Sequence, residues 1–529
     1  MTGSKISKIY GVGIFYVLLF VAVGLQYMDR AYSYGYGSHG DEAAHFVTSL
    51  MVRDFIAHPD LHLMRFADQY YLHYPKVALG HWPPVFYAIL GTWLLIFGTS
   101  HTACMIFIAT IAASTATILY FLGNRLLGYW AGAFAALLFI LTPMVQDASV
   151  QVMTDHLATL FTLISALQFA RFMHTERTSD VLLFGCFTAI AILTHGGAWA
   201  LAGVPILSII VTRRYGLLRH YGLWMAVTPI VLLCLPWYVL TLSFMTRTWA
   251  NQEFSWLFAW QLLRNYIYCL WFNLGFFILL SALLGIWSKI VIPWRAREIA
   301  PEWAVLIALV IAKFCLHCLI PASWAESRYI LVLVPCVLLF AAAGAEWTAT
   351  KYCNIAASNV WKPILVSALA VLCILQTFTF RRELENGGYE AMIKSITAEF
   401  PQKPQIYMLA SDSIGEGSAI AAIAVNDKQR PDSIAYRGSK KLILQDWLRH
   451  DIEAYFHTPA ELARILDDLH VSIIVIDYSV PPEERHAYYP ALEVLMADKS
   501  NWKEETFPFT RFGKLYKDAL HVYIRRQSL

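Results

Sequence analysis

The chain has 529 residues, of which 58% are hydrophobic and 15% charged, with a formal net charge of +3 and a mean hydropathy of +0.51. A water-soluble chain of this length cannot bury so much apolar surface, so a bilayer must solvate much of it; the small net charge gives no footing for nucleic acid. The bias is uneven, because residues 381–529 hold roughly half of all the Lys, Arg, Asp and Glu. They read as an ordinary soluble domain following a polytopic membrane part at 1–380.

In chain order, apolar runs that could cross lie near 9–27, 102–122, 129–145, 156–172, 181–194, 197–212, 222–242, 268–290, 303–320, 329–346 and 362–380. A further run at 84–97 is short, and counting it as a crossing would invert every later loop. With the N-terminus cytoplasmic and 84–97 lying along the surface, the basic residues sort cleanly. Arg125, Arg171, Arg177, the Arg213/Arg214/Arg219 cluster, Lys289, Arg295, Arg297 and Lys351 all fall in cytoplasmic loops, and the opposite turns hold one Arg or none. About eleven crossings then leave 381–529 outside the cytoplasm. The loop 28–101, the turns at 143–155, 195–197 and 321–328 and the loop 243–267 open on that same outer face.

Polar residues gather there. "SHGDEAAHFV" (Ser38–Val47) lacks the first histidine of a zinc-protease helix, since Asp41 precedes Glu42; Gly40 and the acidic pair instead mark a helix N-terminus. "LGHWPPVFY" carries His81, "LTPMVQDASVQVMTDHLATLF" leads to Asp155, "LTHGGAWAL" puts His195 in a tight turn, and "PASWAESRYILVLVP" places Arg328 at the mouth of a helix. Charged groups at interface depth are costly unless paired or used, so the set marks a shared site. Within the apolar helices only Lys313 and His317, one turn apart in "IAKFCLHCLI", form a polar pair; beside them Cys315 and Cys318 spell a CxxC that reads as helix packing. None of the nine cysteines falls in 381–529, so no disulfide framework is expected there.

In this order the motifs resemble the GT-C glycosyltransferases, in the branch containing protein O-mannosyltransferases and the lipid A aminoarabinose transferase. "GDEAAHF" resembles that family's Asp-Glu motif, "HWPPVFY" its Lys-Pro-Pro stretch, "LTHGGAWALAGVPIL" its Thr-Lys-Gly turn and "SRYILVLVP" its Arg-Tyr-(apolar)-Pro helix. The segment ending at Asp155 is similar to the one that leads to the family's second acidic residue. "IYMLASDSIGEGSAIAAIA" with "SIAYRGSK" is similar to the outer domain of the aminoarabinose transferase. The resemblance implies a polytopic α-helical GT-C fold with a C-terminal extracytoplasmic α/β domain. It further implies an inverting transferase moving a sugar from a polyprenyl-phosphate lipid to a glycan, lipid or protein acceptor. Asp41 is then the base, Glu42 its support and Asp155 a positioning acid, with Arg328, His81, His195 and Lys76 as candidates for the donor phosphate.

Two departures stand out: Trp82 occupies the position of the family's lysine before Pro-Pro, and His195 replaces its turn lysine. A histidine near its pKa would hold phosphate weakly and in a pH-dependent way. No cofactor is required by such chemistry; a divalent metal, if used, would fall to Asp41, Glu42 and Asp155. In the outer domain, strands are expected at 405–410, 471–477 and 522–525, alternating with helices at 391–400, 413–425, 459–469 and 489–498. No Asn-x-Ser/Thr occurs, which points to a bacterial inner membrane with the site facing the periplasm. The rival reading is a transporter or flippase of lipid-linked sugars, which needs polar residues on both sides of the midplane.

Overall fold

A computed structural model describes residues 2–248, 254–320, 326–352, 364, 367–368, 371, 385–400, 404–445 and 451–526. Among these, seven helices are long and apolar enough to cross a membrane: Tyr10–Met28, His101–Leu127, Asp155–Thr175, Tyr221–Ser243, Trp256–Ala296, Pro301–Leu319 and Leu333–Lys351. Tyr129–Leu141 and Pro143–Ser149 make an eighth if taken as one span; they meet at 57°, where Pro143 removes a helical hydrogen bond and clashes with the preceding turn.

The sequence suggests about eleven crossings. The runs at 181–194 and 197–212 are helical but short, Thr178–Ile192 and Gly196–Thr212, and form one hairpin around His195. The run at 362–380 lies outside the described residues apart from isolated positions. Apolarity identified the segments, but helix length is set by where glycine and proline interrupt them.

In lipid, helices associate through close backbone contact rather than a hydrophobic drive. A Cβ added at Gly285 would lie 1.8 Å from the Phe340 carbonyl oxygen, and one at Gly344 would lie 1.8 Å from that of Ser281. Only glycine permits that approach. It fixes the Leu333–Tyr352 helix, and with it the Arg328 turn just before, against Trp256–Ile286.

The loop after the first span folds into three helices, Glu42–Ala57, Leu63–His73 and Val85–Phe97. The last matches the run at 84–97 and is a short apolar helix of 13 residues. Phe86, Tyr87, Leu90 and Leu94 are buried on its inner face, and Gly91 lets it lie directly on the backbone of Glu42–Ala57.

The C-terminal unit contains seven strands: β1 Ile406–Ala410, β2 Ile434–Arg437, β3 Ile443–Gln445, β4 Asp451–Ala454, β5 Ile473–Asp477, β6 Trp502–Arg511 and β7 Lys514–Arg525. Five form a sheet in the order β2-β1-β5-β7-β6, parallel through β2, β1 and β5 and antiparallel thereafter. β1 and β5 are short and buried, as parallel strands covered on both faces must be. Helices at Tyr389–Glu399, Ser413–Asn426, Pro459–Asp468 and Tyr489–Met496 match the expected alternation. β6 escapes a hydrophobicity reading because Lys503, Glu504 and Glu505 follow its buried first residue, Trp502; its pairing to β7 closes through a two-residue turn, Phe512-Gly513, both with positive φ.

This unit does not hang free of the membrane part. Phe46, Tyr87 and Leu157 share one buried apolar cluster with Ile393, Ile420 and Val475. Polar clamps reinforce it: Asn386 donates to the Gly37 carbonyl at 2.8 Å, Ser418 to that of Tyr36 at 2.8 Å, and Tyr74 to Asp427 at 2.5 Å. The first two grip the chain just before Asp41.

Candidate active site

Asp41 ends that gripped loop and sits at the N-cap position of Glu42–Ala57, yet its carboxylate makes no capping bond. It faces Arg328 instead, with Arg328 Nη2 3.4 Å from Asp41 Oδ2. The same guanidinium reaches Asp155, Nη1 to Oδ2 at 3.8 Å, and donates from Nε to Glu326. One arginine therefore collects three carboxylates from three separate loops. They are graded in exposure, Asp41 being 35% accessible at its side chain and Asp155 4%, so the site opens at Asp41 and closes at Asp155.

The electrostatics follow from this clustering. Burial pushes the Asp41 carboxyl up, but the neighbouring His39 and His45 imidazoles and the Arg328 guanidinium outweigh it and hold the group below the ordinary carboxylate range. Burial works against ionisation of Glu326 too; hydrogen bonds with His39 and Arg328 overcome it and bring the carboxyl down to about 2. Both are anions at neutral pH. His39 stands between them, 3.7 Å from Asp41 and 3.6 Å from Glu326.

Glu42 plays a different part. It is fully buried, and its two oxygens accept from the backbone N–H of Ser38 and of Val152, each at 2.9 Å. It thus ties the Asp41 loop to the segment leading into Asp155. Burial raises its carboxyl to about 7. Asp155 starts its own helix, and its Oδ2 lacks a hydrogen-bond partner.

The phosphate candidates fall in different places. His195 caps the 3₁₀ turn Gly196–Ala202 by accepting at Nδ1 from the Gly197 N–H at 3.0 Å, and its ring lies 6.1 Å from that of Tyr329 beside Arg328. Burial holds it at about 3, so it is neutral and brings no charge. His81 packs edge-on to Trp82 and is likewise lowered by burial. Lys76 reaches the carbonyls of Gly40 at 3.4 Å and Ser413 at 3.2 Å, bridging the Asp41 loop to the C-terminal unit. Of the four, Arg328 alone stands between Asp41 and Asp155.

Glu326 was legible only as one letter beside Arg328 and His39 only as one letter beside Asp41; what marks them is the convergence of loops far apart in sequence. Among the described residues no three His, Cys, Asp or Glu groups converge as metal ligands. Glu42 is turned to backbone N–H groups, so Asp41, Glu42 and Asp155 do not form such a group.

No curated protein sequence matches the chain. Residues 81–240, which include His81, Asp155 and His195, match the family model described as dolichyl-phosphate-mannose-protein mannosyltransferase. Among solved structures, ArnT from Cupriavidus metallidurans in the apo state is similar over 96% of this chain and 97% of its own, at 16% identity and a TM-score of 0.56. The same protein bound to undecaprenyl phosphate covers 97% of each at 14% identity and TM-score 0.55. The archaeal oligosaccharyltransferase AglB from Archaeoglobus fulgidus, in complex with an inhibitory peptide and a dolichol-phosphate, is similar over 99% of this chain and 75% of its own, at 11% identity and TM-score 0.51. The helical fold with its strand-containing C-terminal unit is thus the GT-C-type fold of ArnT and AglB, and residues 81–240 match the mannosyltransferase family model.

Proposed function

We propose that the chain is an inverting glycosyltransferase that moves a sugar from a polyprenyl-phosphate donor to an acceptor hydroxyl or phosphate on the outer face of the membrane, in a bacterial inner membrane. The observation that carries this reading is the Arg328 guanidinium held among Asp41, Asp155 and Glu326. The undecaprenyl phosphate in one similar structure and the dolichol-phosphate in another support a lipid phosphate as the donor's leaving group.

In the proposed step the acceptor oxygen attacks the anomeric carbon from the face opposite the lipid phosphate. Its proton passes to Asp41, the new C–O bond forms, and the bond to the phosphate oxygen breaks with its electron pair kept by the phosphate. Arg328 stabilises the charge gathering there. Asp41 is a weak base while paired to Arg328. A donor phosphate that draws the guanidinium away removes one of the charges that depress Asp41, so the base strengthens when the donor is present. The step needs no metal, and transfer should survive a chelator.

The transporter reading gains nothing from the opposite end of the bundle. There Arg125 and His174 both pair with Glu302, at 2.7 and 3.1 Å, and Arg171 with Asp180 at 3.2 Å, which leaves paired structural charges rather than a path. The decisive experiment incubates the purified chain with radiolabelled polyprenyl-phosphate sugars and envelope extract. Label moving to a glycan, lipid or protein fraction supports transfer and names the acceptor; label remaining on the donor overturns it.

A further inference from the structure

Beside Arg328 lies a cavity of ≈ 20 Å³, lined among others by Asp155, His195, Gly197, Lys313 and Tyr329. That is space for one water-sized group. Lys313 lines it from the Pro301–Leu319 span and is only 5% exposed. Its ammonium has three donors, and it gives one to the Gly197 carbonyl at 3.1 Å. The carboxylates around the cavity pair with Arg328 rather than with Lys313. A buried charge inside a span is costly when its one hydrogen-bond partner is a backbone carbonyl, and Asp155, whose Oδ2 accepts no hydrogen bond and has Arg328 only at 3.8 Å, lies on the same wall. The two cations of the cavity therefore differ: Arg328 makes ion pairs with three acids, whereas Lys313 makes none among the described residues and feels Asp155 only at longer range.

We infer that Lys313 is the second cation of the donor-phosphate site, meeting the phosphate from the membrane-embedded side while Arg328 meets it from the mouth. This rests on the donor reading above. A phosphate is larger than the cavity, so its entry requires the Arg328 side chain, which lines the cavity, to leave its present place among the three acids. A phosphate linking lipid and sugar carries one negative charge. When the bond to the sugar breaks, the electron pair stays on the phosphate and the acceptor proton goes to Asp41, so the lipid monophosphate left behind carries up to two. Lys313 faces that growing charge without first leaving a carboxylate. His195, neutral and engaged with Gly197, adds no charge of its own to this wall.

The test compares binding of undecaprenyl phosphate and of undecaprenol to the purified full chain by native mass spectrometry. The wild type should prefer the phosphate. Lys313→Met, of similar length and without the charge, should lose roughly tenfold to a hundredfold in affinity for undecaprenyl phosphate, with undecaprenol binding unchanged. Lys313→Gln, which keeps a donor for the Gly197 carbonyl, should show the same loss and serves if the Met variant does not fold; Lys313→Arg should keep most of the affinity. Undiminished phosphate binding by the Met or Gln variant removes Lys313 from the site and leaves the donor reading standing. A wild type that does not distinguish the two lipids overturns both.

Discussion

Arg430 Nε lies 2.9 Å from Asp54 Oδ2, joining residues 376 positions apart in the chain. Asp54 is on the helix that Asp41 begins, and it also accepts from Tyr70 at 2.9 Å and from Arg53 at 2.5 Å. The C-terminal unit therefore grips the far end of the helix that carries the proposed base, while Asn386 and Ser418 grip the loop at its near end.

Breaking this grip should be felt at both places. Both side chains are largely buried, 13% and 9% exposed, so Arg430→Met strips Asp54 of one of its two arginine partners and should cost about 2 kcal/mol. The expected result is a lower apparent Tm of the full chain together with slower transfer, and Asp54→Asn combined with Arg430→Met should recover part of the Tm. A single variant that melts like wild type would show the pair to be ornamental.

Asp41→Asn removes the proposed base but keeps the shape of the side chain. Transfer should fall by roughly a hundredfold to ten-thousandfold, while undecaprenyl phosphate binding stays at or above the wild-type level. Full activity in the purified variant would remove Asp41 as the base.

Glu326 competes with the donor for Arg328, because its carboxylate takes the guanidinium Nε. Glu326→Gln should tighten undecaprenyl phosphate binding by up to about tenfold. Weaker binding would mean that Glu326 serves to orient Arg328 rather than to restrain it.

Acidification should destabilise the fold. Burial holds His45 and His195 at about 3 against an ordinary value of 6.5, so both are neutral when folded and take up protons on unfolding. Their contribution is full above pH 6.5 and shrinks as pH falls toward 3. Glu42, raised to about 7 from an ordinary 4.5, works in the opposite sense, contributing fully below pH 4.5 and losing that as pH rises through 7. Between pH 6.5 and 5 the two histidines outweigh the one carboxyl, a net loss of roughly 2 kcal/mol. Thermal melting across that range should show Tm falling with pH, less steeply in His45→Gln or His195→Gln. A flat or rising Tm would contradict the burial of neutral imidazoles.

The motifs around Asp41, Asp155, His195 and Arg328 were legible because charge beside a long apolar run is conspicuous, and the basic loops sorted them to one expected face. Glu42 was named as the support of Asp41 only through the resemblance; its two backbone partners, one of them Val152 from a distant loop, are visible only in the structure. The two histidines read as titratable, whereas burial removes their charge. Lys313 read as a polar residue inside a helix, and its approach to the Gly197 turn is a matter of helix packing.

By itself the sequence determined the solvent of each segment, since apolar content settles whether a stretch rests in lipid or water, and so determined a helical membrane part with an α/β unit after it. Which side chains meet was decided only by the tertiary structure. Asp41, Asp155 and Arg328 are scattered along the chain, and a few ångströms of separation between them depend on glycine-permitted helix contacts and a shared core that no local pattern encodes.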